Sequence, residues 1–318
     1  MAHYVNIAVA GGLIPARRPR RGNEQRHAFT STEDVILAIR LTQGDILTLS
    51  TEFHQWRSQQ GILRVDFSTS EKRVMEFLAY VARGGYYHQL GLAHGVAKVT
   101  LMGHVKEVAR FFTTIASQHI LLPQANELAA LTTPSQDPAN SQVRDHYKVI
   151  LYIDGFIVKI QRPDHAGDAY FCGRHGKSCD SINVQYITDK DGRVRHIITG
   201  LSGSTHDKTA AAWSADFMHF LNNLPAGYYV LGDPAYRALH PRVITTFSGH
   251  HLTPHQLAFN DSCTRIRQIV ERTIGASQLK WRVQQLKENR IAAKSGVVFA
   301  AQCTLAAAVL LNRFTNFL

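Results

Sequence analysis

The sequence predicts an α/β or α+β fold preceded by an all-α region, and three observations carry this. Residues 31–120 hold no strong strand signal and repeat apolar residues at helical spacing. From Tyr147 onward, short apolar runs bounded by Gly and Asp alternate with longer helical stretches. Between the two lies 121–145, where Pro123, Pro134 and Pro138 stand among polar residues as in a linker or a loosely packed crossing.

The elements follow in order. Residues 1–30 read as a disordered basic arm around Arg17, Arg18, Arg20 and Arg21, suited to touching phosphates, serving as a nuclear address, or simply remaining a solvated tail. Ser31 to Asp34 cap a helix through Ile36, Leu37 and Ile39. Thr69, Ser70 and Glu71 open another, with Val74, Phe77, Leu78 and Val81 on one face and Gly84 at its end. A short helix over 86–93, a tight turn at His94–Val96 and a helix over 97–112 have helix-turn-helix proportions. The last of these offers Lys98, Thr100, His104 and Lys106 on polar faces.

Beyond Tyr147 the runs YKVILYID, FIVKI, SINVQYITD and VRHIITG read as strands. A helix with Trp213, Phe217 and Phe220 on one stripe follows, then the buried strand YYVLGD, then a long helix from about Thr264 to Leu286. The apolar window Val297–Leu311 is shorter than the roughly 20 residues a membrane span needs. It reads as a buried C-terminal helix, and no membrane association is expected. The N-terminus places its apolar stretch before its basic run, the reverse of a secretory leader. Four scattered Cys argue against a secreted disulfide framework.

The charge balance narrows the function. The chain carries 35 Lys and Arg against 24 Asp and Glu, a net +11. Two segments hold most of that excess: 1–30 at +4, and 262–290 at +5. The second has helical periodicity, so its charge is displayed on a folded surface. A polyanionic partner follows, either nucleic acid or an anionic membrane surface.

Three carboxylates stand out. Asp154 ends the run VILYID and Asp233 ends YYVLGD, each beside a Gly, and strand ends of an α/β sheet are where sites are built. Either Asp alone reads equally well as a turn former. Glu271 lies at the edge of the stripe formed by Ile266, Ile269, Val270 and Ile274; it is placed either to point into a cleft above the sheet or to pair with Arg267 one turn back. Two Asp and one Glu make a hard-oxygen set suited to Mg²⁺ or Mn²⁺, and to two such ions for phosphodiester chemistry. Asp207, after His206, reads as an accessory metal or DNA contact, or as the first residue of a helix capped by Ser204 or Thr205. Cys172, His175 and Cys179, with His165 as a fourth candidate, have spacing open to zinc.

At these residues the chain resembles the DDE superfamily of transposase-derived nucleases, in the PIF/Harbinger branch related to bacterial IS5-like transposases. The resemblance runs over about 148–290. It rests on Ile153-Asp154-Gly155, Tyr170 to Lys177, Ser181 to Gln185, Gly203 to Asp207, Gly232 to Tyr236, and Val270 to Gly275, in family order. It implies a catalytic triad at Asp154, Asp233 and Glu271, which also bind two Mg²⁺ or Mn²⁺ ions. It further implies an RNase H-like domain over 146–318, a mixed sheet flanked by helices, after a helix-turn-helix DNA-binding region over 31–120. The expected activity is cleavage and joining of double-stranded DNA at transposon ends, in the nucleus, by a homo-oligomer that works with a Myb/SANT-like accessory protein. Expected DNA contacts are Arg17, Arg18, Arg20, Arg21, Lys98, Thr100, Arg174, Lys177, Lys280 and Arg282. The chain departs from the family pattern at Phe156 and at Pro234. A domesticated, non-cleaving DNA-binding protein of the same fold is the alternative, and a small-phosphoester hydrolase is a more distant one.

Overall fold

A computed structural model of the protein describes residues 41–62, 68–84, 86–132, 147–163, 168–173, 178–285 and 296–315. The basic arm and the helix expected at 31–39 lie outside these residues.

Among the described residues, four helices come first. Helix α1, Gln43–Gln59, was not singled out by periodicity, yet its start is written in the sequence: Thr42 and Asp45 form a reciprocal capping box. Helix α2 spans Ser70–Arg83 with Thr69 as its N-cap and Gly84 in the left-handed conformation at its end, as expected. Helix α3, Tyr87–Ala93, leads through a tight turn into α4, Lys98–His119. Helix α4 runs two turns beyond Phe112, because Ile115 and Ala116 continue its buried face. His104 is buried rather than on a polar face: its Nδ1 stands 2.5 Å from Oε2 of the fully buried Glu76. A second buried network joins Arg57, Arg73 and Glu107, drawing α1, α2 and α4 together. Part of the expected linker is ordered. Helix α5, Leu128–Leu131, buries both its leucines against the sheet, and Glu127 binds Arg195 at 2.6 Å.

The sheet has six strands. Strands β1 (Val149–Lys159), β3 (Cys179–Thr188) and β4 (Val194–Ser202) form an antiparallel meander, with the short β2 (Phe171–Cys172) beside the start of β3. Two helices, α6 (Asp207–Ala212) and α7 (Ala215–Asn223), then cross the sheet. They deliver β5 (Tyr229–Leu231) and β6 (Val243–Ile244), which run parallel to β1. The order is therefore β4–β3–β1–β5–β6. Trp213 sits in the break between α6 and α7 and is 66% exposed, so it does not share the buried stripe of Phe217.

YKVILYID and FIVKI are one strand. Asp154 lies in the middle of β1, not at its end, and Gly155 continues the strand opposite Gln185. The expectation of a strand end is corrected by the neighbour on the other side: β5 pairs with β1 only as far as Tyr152 opposite Leu231. Past that point β1 is flanked on one side only, and Asp154 stands beyond the carboxyl end of β5, where Asp233 follows. The site is at a strand end after all, but the end is that of β5.

Each face of the sheet is covered. Helix α8, Pro254–Lys280, lies over β1 and β3. It begins ten residues earlier than expected, at a capping box of Thr253 and Gln256 with Pro254 in the first turn, and stops at the buried Trp281. Helix α9, Gly296–Phe314, is buried along most of its length between α4 and β4. One continuous cluster of buried side chains joins α1–α4, α8, α9 and this face of the sheet. Asn312 ties the assembly: its side chain accepts from Val194 N at 2.9 Å and donates to the carbonyls of Val194 and His119. The opposite face packs Ile150, Ile153 and Ile187 against Phe217, Leu221 and Tyr236.

Candidate active site

The site forms where three elements meet. Strand β1 is buried on both faces up to Ile153, so Asp154 is held on a rigid backbone. The alternation of the strand turns Tyr152, Asp154 and Phe156 toward α8. Asp233 caps the 3₁₀ turn Pro234–Tyr236, its Oδ1 accepting from Ala235 N at 3.0 Å. Glu271 projects from α8, 45% exposed at its side chain.

Arg267, one turn before Glu271 on α8, joins two of these groups. Its guanidinium lies 3.1 Å from Asp154 Oδ2 and 2.5 Å from Glu271 Oε1. Glu271 therefore takes the pairing with Arg267, and Arg267 links it to Asp154. Among the described residues no three His, Cys, Asp or Glu side chains stand ready to hold a metal ion, and Arg267 lies between two of the expected ligands.

The electrostatics are those of an excess of negative charge. Burial pushes the Asp154 carboxyl up to about 6 against the opposing pull of Arg267 and of the Gly155 N–H, with Asp233 and Glu271 adding to the rise. Burial likewise raises Asp233, with Asp207 and Glu271 contributing. Strained protonation of this kind clusters at functional sites.

Asp207 belongs to this group. It is the first residue of α6, but neither Ser204 nor Thr205 caps the helix; the N-cap is His206, without a side-chain bond. Asp207 instead accepts from Asn183 Nδ2 at 2.7 Å. Gly155 makes room for it: a Cβ there would lie 2.9 Å from Asp207 Oδ1 and 3.5 Å from the Tyr236 hydroxyl. Tyr236 is fully buried, and Asp207, Asp154 and Asp233 all help burial hold its hydroxyl protonated. In the sequence Asn183, Gln185 and Tyr236 stand only within the family motifs and Arg267 only as a partner for Glu271; their place in the site is a finding of the structure. The legible signal was the polar pair Asn183 and Gln185 at alternate positions of an otherwise apolar strand.

The expected DNA contacts are dispersed. Lys98 and Thr100 are exposed at the start of α4, and Arg282 is exposed after α8. Lys280 departs from expectation: its ammonium binds the Phe314 carbonyl at 3.0 Å and Thr315 Oγ1 at 3.2 Å, closing α8 onto the end of α9. Arg17, Arg18, Arg20, Arg21, Arg174 and Lys177 lie outside the described residues, as do His165 and His175. Cys172 and Cys179 face each other across β2 and β3 as buried free thiols.

A mixed sheet flanked by helices, with acidic side chains gathered past the end of its parallel strand β5, defines an α/β protein with a carboxylate-rich site. The family model of the DDE superfamily endonucleases matches residues 153–312, half of the chain, and the protein belongs to that family. The rat protein described as "Putative nuclease HARBI1" (Rattus norvegicus) is 24% identical over 206 residues, covering 64% of this chain and 56% of its own. This chain thus spans little more than half the length of that relative. No solved structure matches.

Proposed function

We propose that this protein is a divalent-metal-dependent DNA endonuclease of the transposase type, which cleaves phosphodiesters and transfers the strand. The observation that carries the reading is the convergence of Asp154, Asp233 and Glu271, with Asp207 near Asp233, on the Arg267 guanidinium. Among the described residues, four carboxylates near one guanidinium leave a net negative cluster in a chain of net +11. Hard-oxygen donors in excess suit Mg²⁺ or Mn²⁺, and two such ions are the reading we favour. The strand order, with a meander followed by two parallel strands, agrees with an RNase H-like fold.

Asp154, Asp233 and Glu271 would hold the metal, and Asp207 would complete the set. When bound, the metal lowers the pKa of an attacking water or 3′-hydroxyl and stabilises the leaving oxygen. The chain's own residues do the rest. β1 and the 3₁₀ turn hold Asp154 and Asp233 in fixed orientation. Arg267 balances the carboxylates until they take up a ligand. Lys208, Arg237 and Arg272 are exposed and stand within four residues of Asp207, Asp233 and Glu271 in the chain, and a phosphate backbone is the partner such charge suits. The helix-turn-helix segment α3–α4, with Lys98 and Thr100, and the N-terminal arginines would add contacts to double-stranded DNA at element ends. Nuclear localisation, homo-oligomers and a Myb/SANT-like accessory protein complete the proposal.

The test is a supercoiled plasmid with Mg²⁺ or Mn²⁺. The parent protein should nick it, and Glu271→Gln should bind DNA equally well while cleavage falls by two or more orders of magnitude, since each 1.4 kcal/mol of lost transition-state stabilisation is about tenfold. Loss of the Glu271–Arg267 pair itself should cost under about 1 kcal/mol of stability, because Glu271 is half exposed. Equal nicking by Glu271→Gln would sink the triad. DNA binding without nicking by the parent would favour the domesticated, non-cleaving alternative.

A further inference from the structure

Strand β3 is buried on both faces, and a strand so placed is expected to be apolar throughout. Ser181, Asn183 and Gln185 break that rule at alternate positions, so all three share one face. They are 0%, 2% and 0% exposed. Above them runs the turn that leads from β4 into α6. Gly203 approaches so closely that a Cβ there would meet Ser181 Oγ at 2.0 Å, and its N–H donates to the Ser181 carbonyl at 2.8 Å.

The two amides grip the end of that turn. Asn183 Nδ2 donates to Asp207 Oδ1 at 2.7 Å and to the Thr205 carbonyl at 3.2 Å. Gln185 Nε2 donates to the Asp207 carbonyl at 2.8 Å. Their other ends, Asn183 Oδ1 and Gln185 Oε1, are buried and find no hydrogen-bond partner among the described residues. Leaving a buried acceptor unpaired is unfavourable, and apolar side chains of the same shape avoid that loss. Stability alone therefore does not account for these two residues. On the neighbouring strand Gly155, opposite Gln185, leaves the space that the Asp207 carboxylate fills, and the charge of Asp207 is felt at Asp233.

We propose that Asn183 and Gln185 are positioning residues that hold Asp207 in the acidic site: Gln185 fixes its backbone, and Asn183 fixes the carboxylate oxygen. The inference rests on the metal-dependent reading above and assigns these amides no contact with the substrate. Asn183 orients the carboxylate by donating to one oxygen, which leaves the other oxygen of Asp207 for a ligand. Gly155 completes the seat by excluding any side chain from the same volume.

The experiment compares Asn183→Leu and Gln185→Met with the parent full-length chain, by thermal melting in EDTA and by calorimetric titration with MnCl₂. A positioning role predicts melting within a few degrees of the parent for both variants, with Mn²⁺ affinity at least tenfold weaker in Asn183→Leu and less affected in Gln185→Met. In an Asp207→Asn background, Asn183→Leu should cause no further loss, because Asn183 acts only through Asp207. Lower melting temperatures with Mn²⁺ affinity unchanged within twofold would overturn the proposal, leaving the amides as loop fasteners. Should Asn183→Leu fail to fold, Gln185→Met decides alone, a threefold or greater loss of affinity supporting the proposal and parental affinity overturning it. A parent that binds no Mn²⁺ overturns the metal-site reading and this inference with it; a parent that binds while both variants bind equally overturns this inference alone.

Discussion

Replacing Asp154 by Asn should make the metal-free protein more stable while removing its capacity for metal. The side chain is 21% exposed, and burial raises its carboxyl from 3.8 to about 6. A folded-state value above the unfolded one means that the group's contribution to stability is complete below pH 3.8 and lost as pH rises through about 6. At pH 7.5 the ionised form therefore weakens the fold by about 3 kcal/mol, taking 1.36 kcal/mol for each tenfold change. Asn keeps an oxygen for the Gly155 N–H, now 2.9 Å from Asp154 Oδ1, and removes the charge. It also frees one arm of Arg267, which retains Glu271. The net gain expected is about 1–3 kcal/mol, or roughly 2–6 °C for a chain of this size. The assay is thermal melting of parent and variant in EDTA at pH 7.5 and pH 4.5. The variant should melt higher at pH 7.5, and the gap should narrow at pH 4.5, where the parent carboxyl is largely protonated. Added Mn²⁺ should raise the parent and leave the variant unmoved. A variant that melts below the parent at pH 7.5, with a gap indifferent to pH, would show that Asp154 is a stabilising partner of Arg267 and that the cluster is an internal ion pair.

Gly155→Ala should weaken Mn²⁺ binding and cleavage together, because the new Cβ meets Asp207 Oδ1 at 2.9 Å and Asn183 prevents that carboxylate from retreating. Overpacking of this size costs about 1–3 kcal/mol, readable by melting; unchanged affinity would mean that Asp207 lies outside the site. Asn312→Ala should destabilise by about 2 kcal/mol in denaturant unfolding, since it strips partners from the Val194 N–H and from the carbonyls of Val194 and His119. A loss below 0.5 kcal/mol, roughly, would show water replacing the side chain. Changing Arg17, Arg18, Arg20 and Arg21 to Ala should lower DNA affinity at low salt and flatten its salt dependence, and an unchanged slope would make the arm a tail without phosphate contacts.

Much of this protein is determined locally. Thr69 before an apolar repeat and Gly84 after it mark a helix wherever the chain goes, because caps satisfy backbone groups within one turn. The buried strand runs and the apolar C-terminal helix follow from composition alone, and the order of the six motifs points to the family before any fold is seen. The sequence also names Asp154, Asp233 and Glu271. What it does not contain is which strand ends where. VILYIDGFIVK reads as two runs broken at Asp-Gly, and only pairing with β3 on one side and the early end of β5 on the other make it one strand with a carboxylate at its midpoint. The start of α8 is hidden for the reverse reason: Pro254 to Asp261 is exposed or half-buried and carries no fully buried residue, so periodicity is silent and the capping box alone marks it. Asp207 and its amides are a purely tertiary fact. Asp207 stands more than twenty residues from Asn183 and Gln185 in the chain, and only folding brings it to Gly155, where a missing side chain on one strand is filled by a carboxylate from the start of a helix. Local signals report what a residue does with its own backbone; a site is decided by which side chains the sheet and helices leave room for.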